Sequence, residues 1–253
     1  MIVDTHAHLY YGNLLEQIDG VIERAKSAGI SKIIAPAVDV KSAKKILELS
    51  EKYDLVYGAV GFHPCDLKKL EMTDIKLIEK FASNNKVVAI GEIGLDYYWD
   101  SSEKEKQKRF FIEQIRLAKS LNLPVIIHTR DSLEDAIEII RAENDGKLSG
   151  QFHCFSGNVK QVEEICEFGN FYFSFCGNIT FKKYSGIAVI EKVPADKLLS
   201  ETDSPFLSPE PYRGKVNEPS RVVHSIEFIA AVKGLNQNEM KKIMFENALK
   251  LFF

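Results

Sequence analysis

Short runs rich in β-branched residues alternate with longer amphipathic segments along the whole chain, and this alternation constrains the fold more than any other feature. Strands that alternate with helices are typical of a parallel sheet whose strands are joined by helical crossovers. Eight strands in a chain of 253 residues favour a closed (β/α)8 barrel, which needs about 250 residues, over an open sheet. We therefore predict an α/β protein with a TIM barrel fold, in which residues 1–253 form a single domain. The eight predicted strands are Ile2–Thr5, Lys32–Ala37, Leu55–Val60, Val87–Ile90, Val125–Ile127, Gln151–Cys154, Phe171–Cys176 and Leu198–Ser200.

The segments between these strands carry helical patterns, two of which end at Gly29 and Gly169. Glycine commonly follows the last turn of a helix because it tolerates a left-handed backbone. The predicted helices are Leu14–Ala28, a segment up to about Tyr53, a segment capped by Thr73, Glu103–Leu121, a segment from Asp131 or Ser132 to Arg141, Val159–Phe168, Ser220–Lys233 and Gln237–Leu251.

The charge balance argues against a protein that coats nucleic acid through its overall charge. The formal net charge is −3 and no block of lysines and arginines stands out, so phosphate binding needs a local site. The four cysteines form no Cys-x-x-Cys pair and predict reduced thiols rather than a disulfide framework. With no evident signal peptide and no apolar stretch of about 18 residues, the sequence predicts a cytoplasmic protein without a membrane span. No obligatory protein partner is indicated.

The strongest local signal is the segment Asp4-Thr5-His6-Ala7-His8, which continues from the first predicted strand. Side chains alternate along a strand, so Asp4, His6 and His8 are expected to share one face. Two imidazoles on one face, two residues apart, can bind one cation, although ordinary hydrogen bonds would also explain them.

Five more polar residues stand at the carboxyl ends of predicted strands, and in a (β/α)8 barrel these ends surround one catalytic mouth. They are His63, Glu92, His128, His153 and Asp203. Imidazole and carboxylate groups are typical ligands of Zn²⁺, Mn²⁺, Co²⁺ or Ni²⁺, and Mg²⁺ is a further candidate. Four histidines and two carboxylates exceed what one open catalytic ion needs, so the pattern predicts two divalent ions bridged by Glu92. The predicted metal ligands are His6, His8, Glu92, His128, His153 and Asp203.

Catalysis is assigned to carboxylates at the predicted mouth. Glu201 and Asp203 have the same strand parity, so both are expected to face it. One of them can hold metal while the other accepts a proton from the attacking water. We assign Asp203 to metal and leave Glu201 open as ligand or general base; together with Glu92 they form the predicted catalytic set.

Substrate contacts are expected from residues around the same mouth. His63, Arg130 and Arg213 are predicted to contact a substrate phosphate. Packing in a turn would also explain His63, and a solvated loop position would explain Arg213. Aromatic side chains at Tyr97–Trp99 would either stack unpaired bases or pack against the barrel rim.

Taken together, these residues resemble the TatD family of metal-dependent hydrolases. The resemblance rests on an ordered set of segments that covers nearly the whole chain, and such a set is far more specific than any one motif. The matching segments are Asp4–Leu9, Gly61–Pro64, Gly91–Tyr97, Pro124–Arg130, His153–Gly157, Glu201–Pro205, Pro211–Gly214 and Asn217–Pro219.

The resemblance implies a TIM barrel of the amidohydrolase superfamily with metal-dependent deoxyribonuclease activity, which removes nucleotides from a DNA end. It also implies the same six metal ligands, at which this sequence shows no departure from the family pattern. Single-stranded or frayed DNA ends are the expected substrate, because a barrel mouth is too concave to reach a bond within an intact duplex.

A metal-dependent ester or amide hydrolase, such as a D-aminoacyl-tRNA deacylase, is the alternative enzyme. Glu92 at the bridging position favours the nuclease, because amidohydrolases that cleave esters or amides often bridge their two ions with a carboxylated lysine instead. A metal-stabilised scaffold protein is disfavoured, since six ligands shared by two ions leave positions open for water.

Overall fold

Eight parallel strands, paired in chain order, form the sheet around which the described part of the molecule is built. The computed structural model describes residues 1–99 and 101–253. The strands are β1 (Ile2–Asp4), β2 (Ile30–Pro36), β3 (Val56–Val60), β4 (Val87–Asp96), β5 (Val125–Arg130), β6 (Gly150–Phe152), β7 (Phe171–Phe175) and β8 (Leu198–Ser200).

Backbone hydrogen bonds join the first and last strands and complete the barrel. The Thr5 amide donates to the Ser200 carbonyl over 2.9 Å, and the His8 amide donates to the Ser204 carbonyl over 2.8 Å. Ala7 and Ser204 also form a parallel bridge. The prediction of a TIM barrel is therefore confirmed.

Helices separate the strands and cover the outside of the barrel. They are α1 (Gly12–Leu15), α2 (Ile18–Ser27), α3 (Val40–Lys52), α4 (Ile75–Ala82), α5 (Lys104–Leu121), α6 (Leu133–Glu143), α7 (Val159–Cys166), α8 (Ile187–Lys192), α9 (Val222–Val232) and α10 (Gln237–Phe252). Side-chain caps start several of them: Asp39 accepts a hydrogen bond from the Ser42 amide at the start of α3, and Asn158 accepts one from the Gln161 amide at the start of α7. Among the described helices, none has the length and apolar character that a membrane crossing requires.

The structure changes several predicted boundaries. The predicted helix at Leu14–Ala28 is divided into α1 and α2, because the backbone at Gln17 leaves helical geometry with φ −120° and ψ 24°. Thr73 lies within a short 3-10 turn, Met72–Asp74, and does not cap α4. Helix α8 was not predicted at all, since its six residues are too few for a clear helical period.

Strand β4 is six residues longer than predicted at its carboxyl end and runs to Asp96. A register irregularity between Ile90 and Ile93 interrupts the pairing with β5, and pairing then continues to Asp96. Gly94 has φ +140°, and a Cβ there would lie 2.0 Å from the His128 carbonyl oxygen. Only glycine fits this close approach, so a residue that reads as a strand breaker lies inside the strand.

A buried apolar cluster fills the amino-terminal part of the barrel interior. It takes one or two residues from most strands and packs them against the end of α10. Because this end is closed by apolar packing, the polar side chains collect at the carboxyl ends of the strands, where the barrel has its mouth. The cluster contains Val3, Ile34, Ala59, Val88, Ala89, Ile126, Tyr172, Leu199, Ala248, Leu251 and Phe252.

Candidate metal centre

The six side chains predicted as metal ligands converge at the barrel mouth. Five of them come from strand ends or the residues that follow, and the sixth, Glu92, lies inside β4 at their centre. Asp4, which was expected to share their face, instead accepts hydrogen bonds from the Thr202 amide and hydroxyl.

A first donor group, His6, His8 and Asp203, surrounds Oε2 of Glu92. The Nε2 atoms of His6 and His8 lie 3.2 Å apart, and they lie 3.3 Å and 3.6 Å from Glu92 Oε2. They lie 3.7 Å and 3.4 Å from Asp203 Oδ1. In a tetrahedral site with bonds of about 2.1 Å, donor atoms lie about 3.4 Å apart. These five separations therefore fit four donors around one divalent ion.

A second donor group, His63, His128 and His153, surrounds the other oxygen of Glu92. Oε1 lies 2.9 Å from His128 Nδ1, 3.1 Å from His153 Nε2 and 3.6 Å from His63 Nε2. Each carboxylate oxygen of Glu92 thus faces a separate set of donors, which is the arrangement that a bridging carboxylate requires.

Glu92 is buried, with only 3% of its side chain exposed. Burial raises the pKa of this carboxyl group, but the surrounding imidazoles, chiefly His153, His6 and His63, hold the pKa well below its usual range. The carboxylate is consequently ionised at neutral pH and available to cations on both sides.

Asp96 contacts the His128 ring on the side that faces away from Glu92. Asp96 Oδ2 lies 3.0 Å from His128 Nε2, the nitrogen that points away from Glu92. Asp96 Oδ1 accepts hydrogen bonds from the amides of Tyr98 and Trp99. Carboxylates behind histidine ligands fix the ring orientation and its tautomer. Sequence reasoning did not assign Asp96 a role, although it stands four residues after Glu92 and so has the same strand parity.

Glu201 lies behind His153 as a close ionic neighbour rather than as a hydrogen-bond partner. It is fully buried, and its Oε1 accepts hydrogen bonds from the Cys154 amide over 2.6 Å and the Cys176 thiol over 3.3 Å. Its Oε2 lies 3.4 Å from His153 Nδ1. Glu201 therefore faces the back of His153 rather than the open side of the mouth.

Tyr10 is the partner of His8, and sequence reasoning missed it. Its hydroxyl lies 3.0 Å from His8 Nδ1, the nitrogen opposite the donor group. The far nitrogen of His6 is buried and has no hydrogen-bond partner among residues 1–99 and 101–253. The imidazoles of the first group thus have no carboxylate behind them, whereas His128 and His153 of the second group do. The third imidazole of the second group, His63, accepts a hydrogen bond from the Cys65 amide at its Nδ1.

The imidazoles at the mouth also differ in how readily they hold protons: His6 and His63 do so less readily than His128 and His153. Burial lowers the pKa of His6, and the neighbouring His153 lowers it further. Burial also lowers the pKa of His63, to about 3. Burial acts in the same direction on His128 and His153, but carboxylates outweigh it: Asp96 and Glu92 raise the pKa of His128, and Glu92 and Glu201 raise that of His153 well above its usual value.

The two predicted phosphate-binding arginines lie on the rim with exposed side chains. The Arg130 guanidinium lies 3.7 Å from the centre of the Tyr98 ring, and the Arg213 guanidinium lies 4.3 Å from that of Phe181. Neither forms an ion pair with a carboxylate in the described part of the chain. Tyr97, in contrast, donates its hydroxyl to Asp135 and packs into the rim.

Comparisons with known proteins agree with this geometry. The sequence model of the family described as TatD related DNase matches residues 3–253. The chain belongs to this family. It is 44% identical over its whole length to a Bacillus subtilis protein described as the uncharacterized metal-dependent hydrolase YabD, of which the match covers 99%. The resemblance identified from the motifs is therefore confirmed, and the chain is a metal-dependent hydrolase of the TatD family.

Solved structures of other TatD family members have the same barrel. The Escherichia coli TatD homologue YjjV superposes with a TM-score of 0.93 at 30% identity, over 99% of this chain and 97% of that chain. A TatD family hydrolase from Entamoeba histolytica superposes with a TM-score of 0.87 at 26% identity, over 100% and 98% of the two chains.

Proposed function

We propose that the protein hydrolyses phosphodiester bonds at the ends of DNA strands, with two divalent ions held on either side of Glu92. One observation carries the proposal: the two oxygens of Glu92 face separate groups of nitrogen and oxygen donors at the barrel mouth. The name of the family, TatD related DNase, supports the substrate class.

The donor set suits borderline divalent cations, because imidazole nitrogens outnumber carboxylates. We assign His6, His8 and Asp203 to one ion, His128 and His153 to the other, and Glu92 to both. Zn²⁺, Mn²⁺, Co²⁺ and Ni²⁺ fit best, with Mg²⁺ the remaining candidate. Bound divalent ions there would polarise a phosphoryl oxygen and make water more acidic.

Asp203 is the best placed of the three carboxylates to accept a proton from the attacking water. Its side chain is 13% exposed, against 3% for Glu92 and 0% for Glu201. Burial raises its pKa, but a hydrogen bond from His8 and nearby imidazoles bring the pKa below its usual value, so it is ionised at neutral pH. Glu201 acts through His153, whose ring it orients.

We assign binding of the substrate phosphate to two arginines at the rim and to His63. Arg130 and Arg213 present exposed guanidinium groups, which suit phosphate oxygens. Long duplex binding needs many basic contacts, and a chain of net charge −3 offers few. The concave mouth therefore favours single-stranded or frayed ends.

The test is digestion of end-labelled single-stranded and duplex DNA by metal-loaded enzyme, beside ester and amide substrates. Stepwise shortening of DNA that stops when a chelator is added is the expected result. DNA that stays intact beside rapid hydrolysis of ester-linked D-aminoacyl-tRNA would contradict the proposal and favour the deacylase.

A further inference from the structure

Two partly exposed aromatic rings stand beside the first donor group. The rings of Tyr11 and Phe206 lie 5.7 Å and 6.0 Å from the His8 ring, measured between centres. Tyr11 is 39% exposed and Phe206 is 45% exposed. Large apolar side chains exposed beside a polar site commonly mark a ligand surface. The metal centre and its catalytic carboxylates make no use of either ring.

The two rings form a corner. Their centres lie 5.2 Å apart and their planes meet at 79°. A flat aromatic ligand that stacks on one ring therefore meets the other ring in an edge-to-face arrangement, which is a favourable geometry for aromatic pairs. We refer to Tyr11 and Phe206 together as the aromatic corner.

Both rings stand on fixed backbone. The Tyr11 carbonyl accepts hydrogen bonds from the first turn of α1, from the amides of Leu14 and Leu15. The Phe206 amide donates to the Asp203 carbonyl, and the Phe206 carbonyl accepts a hydrogen bond from the buried side chain of Asn217. A ligand that binds here does not have to order a loop first, which lowers the entropy cost of binding.

The second aromatic pair at the mouth differs in this respect. The Arg130 guanidinium lies 3.7 Å from the centre of the Tyr98 ring and 5.3 Å from that of Trp99, so it occupies a face of the first ring. No cation lies over Tyr11 or Phe206 in the described part of the chain. Tyr10 stacks on Tyr11 with ring centres 5.1 Å apart, so Phe206, which is 45% exposed, is the main stacking surface of the corner. Sequence reasoning considered only Tyr97–Trp99 for that role.

We propose that the aromatic corner binds the unpaired base at the end of the DNA strand, next to the phosphodiester bond that is cleaved. This inference rests on the proposed function and names the subsite that selects unpaired ends. His8 connects the corner to the reacting centre, since its Nε2 lies 3.4 Å from Asp203 Oδ1. Stacking accepts every base, so the corner would select for an unpaired base without selecting a sequence.

The kinetic test compares single-stranded DNA that ends in a normal nucleotide with DNA that ends in an abasic one. We expect Tyr11→Ala and Phe206→Ala to raise KM for the normal end about ten-fold, with a smaller change in kcat. Both variants should treat the two substrates alike, whereas the parent enzyme prefers the normal end. Tyr11→Phe and Phe206→Tyr, which keep the rings, should behave as the parent enzyme does. Phe253→Ala, which removes an exposed ring beside Tyr57 at the other end of the barrel, is the matched control.

A binding measurement separates this inference from the proposed function. Oligonucleotides carry 2-aminopurine at one end or the other, next to nuclease-resistant phosphorothioate linkages, and the base loses fluorescence when it stacks. The metal-loaded parent enzyme should quench the fluorescence, and both alanine variants should fail to do so. That result would support the proposal that the aromatic corner binds the terminal base. Quenching without any cleavage of ordinary DNA would overturn the proposed function and keep the corner as a DNA-end site. If the parent enzyme and alanine variants of unchanged metal content show equal quenching, or equal KM, the proposal that the aromatic corner binds the base is overturned.

Discussion

The two donor groups that meet at Glu92 differ in the partners of their imidazole rings, on the side of each ring that faces away from Glu92. In the second group, Asp96 lies behind His128 and Glu201 lies behind His153. In the first group, His8 faces only the neutral hydroxyl of Tyr10. His128 and His153 are therefore supported by charge, whereas His8 is supported by a neutral hydrogen bond.

This difference has consequences for how the two groups bind cations. A carboxylate behind an imidazole makes the ring a stronger donor, but it also makes the ring hold a proton more tightly. The raised pKa values of His128 and His153 and the lowered pKa of His6 reflect this contrast. His6 and His63 are uncharged at neutral pH, whereas His128 and His153 must release protons before they bind a cation.

The largest expected effect comes from removing the charge that the two groups share. Glu92→Gln keeps the shape of the side chain but loses the carboxylate that faces both groups. We expect kcat/KM to fall by orders of magnitude and fewer than two ions to remain bound, while circular dichroism shows a folded barrel. Glu227→Gln, at an exposed position on α9, is the matched control. A fully metallated and active Glu92→Gln enzyme would show that neither ion depends on this carboxylate.

The next effect concerns the pH dependence of metal content. Because protons compete for His128 and His153, lowering the pH from about 8 to about 6 should release one ion before the other. The protein should hold two ions per chain at the higher pH and close to one at the lower, as measured by elemental analysis after dialysis against buffered metal. Loss of both ions in one step would mean that the two groups do not differ in this way.

A smaller and more selective effect is expected for Asp96→Asn. The amide cannot supply the negative charge that supports His128, so affinity for the second ion should fall about 10- to 100-fold while the first ion is retained. Isothermal titration with metal should resolve the two steps. Asp135→Asn changes a carboxylate that contacts Tyr97 and Lys108 on the rim, and it should leave both steps unchanged. Equal weakening of both ions by Asp96→Asn would argue against a role confined to His128.

The smallest effect is expected for Tyr10→Phe, which removes the hydroxyl behind His8. A neutral hydrogen bond contributes about 0.5–1.5 kcal/mol, so affinity for the first ion should fall about 2- to 13-fold. The same metal titration measures it. A loss as large as that of Asp96→Asn would contradict the proposed contrast between neutral and charged support.

Several parts of this structure follow from local sequence patterns. The eight strands were placed within a few residues at most ends, because β-branched runs and helical periods depend on neighbouring residues. The positions of His128 and Asp203 near strand ends were also evident, and parallel strands in a barrel bring such ends together. The extension of β4 to Asp96 was not evident, since Gly91 and Gly94 interrupt the apolar run.

Other parts depend on contacts between distant segments. The Thr5 and Ser200 backbones pair across 195 residues, and this closure brings the first donor group together. Strand parity assigned Glu201 to the mouth together with Asp203, but the chain bends after β8, where Asp203 has φ +54°, and Glu201 lies behind His153. Parity predicts side-chain direction only while the backbone remains extended.

The sequence by itself determined the barrel, the strand ends that carry donors and the family, because these follow from periodicity and from the order of motifs along the chain. Only the tertiary structure decided which oxygen of Glu92 faces which imidazoles, what lies behind each ring, and that Tyr11 and Phe206 form a corner. Those contacts depend on the directions in which side chains point at residues that follow the ends of the strands. Irregular backbone sets these directions, and closure of the barrel brings residues from both ends of the chain into contact.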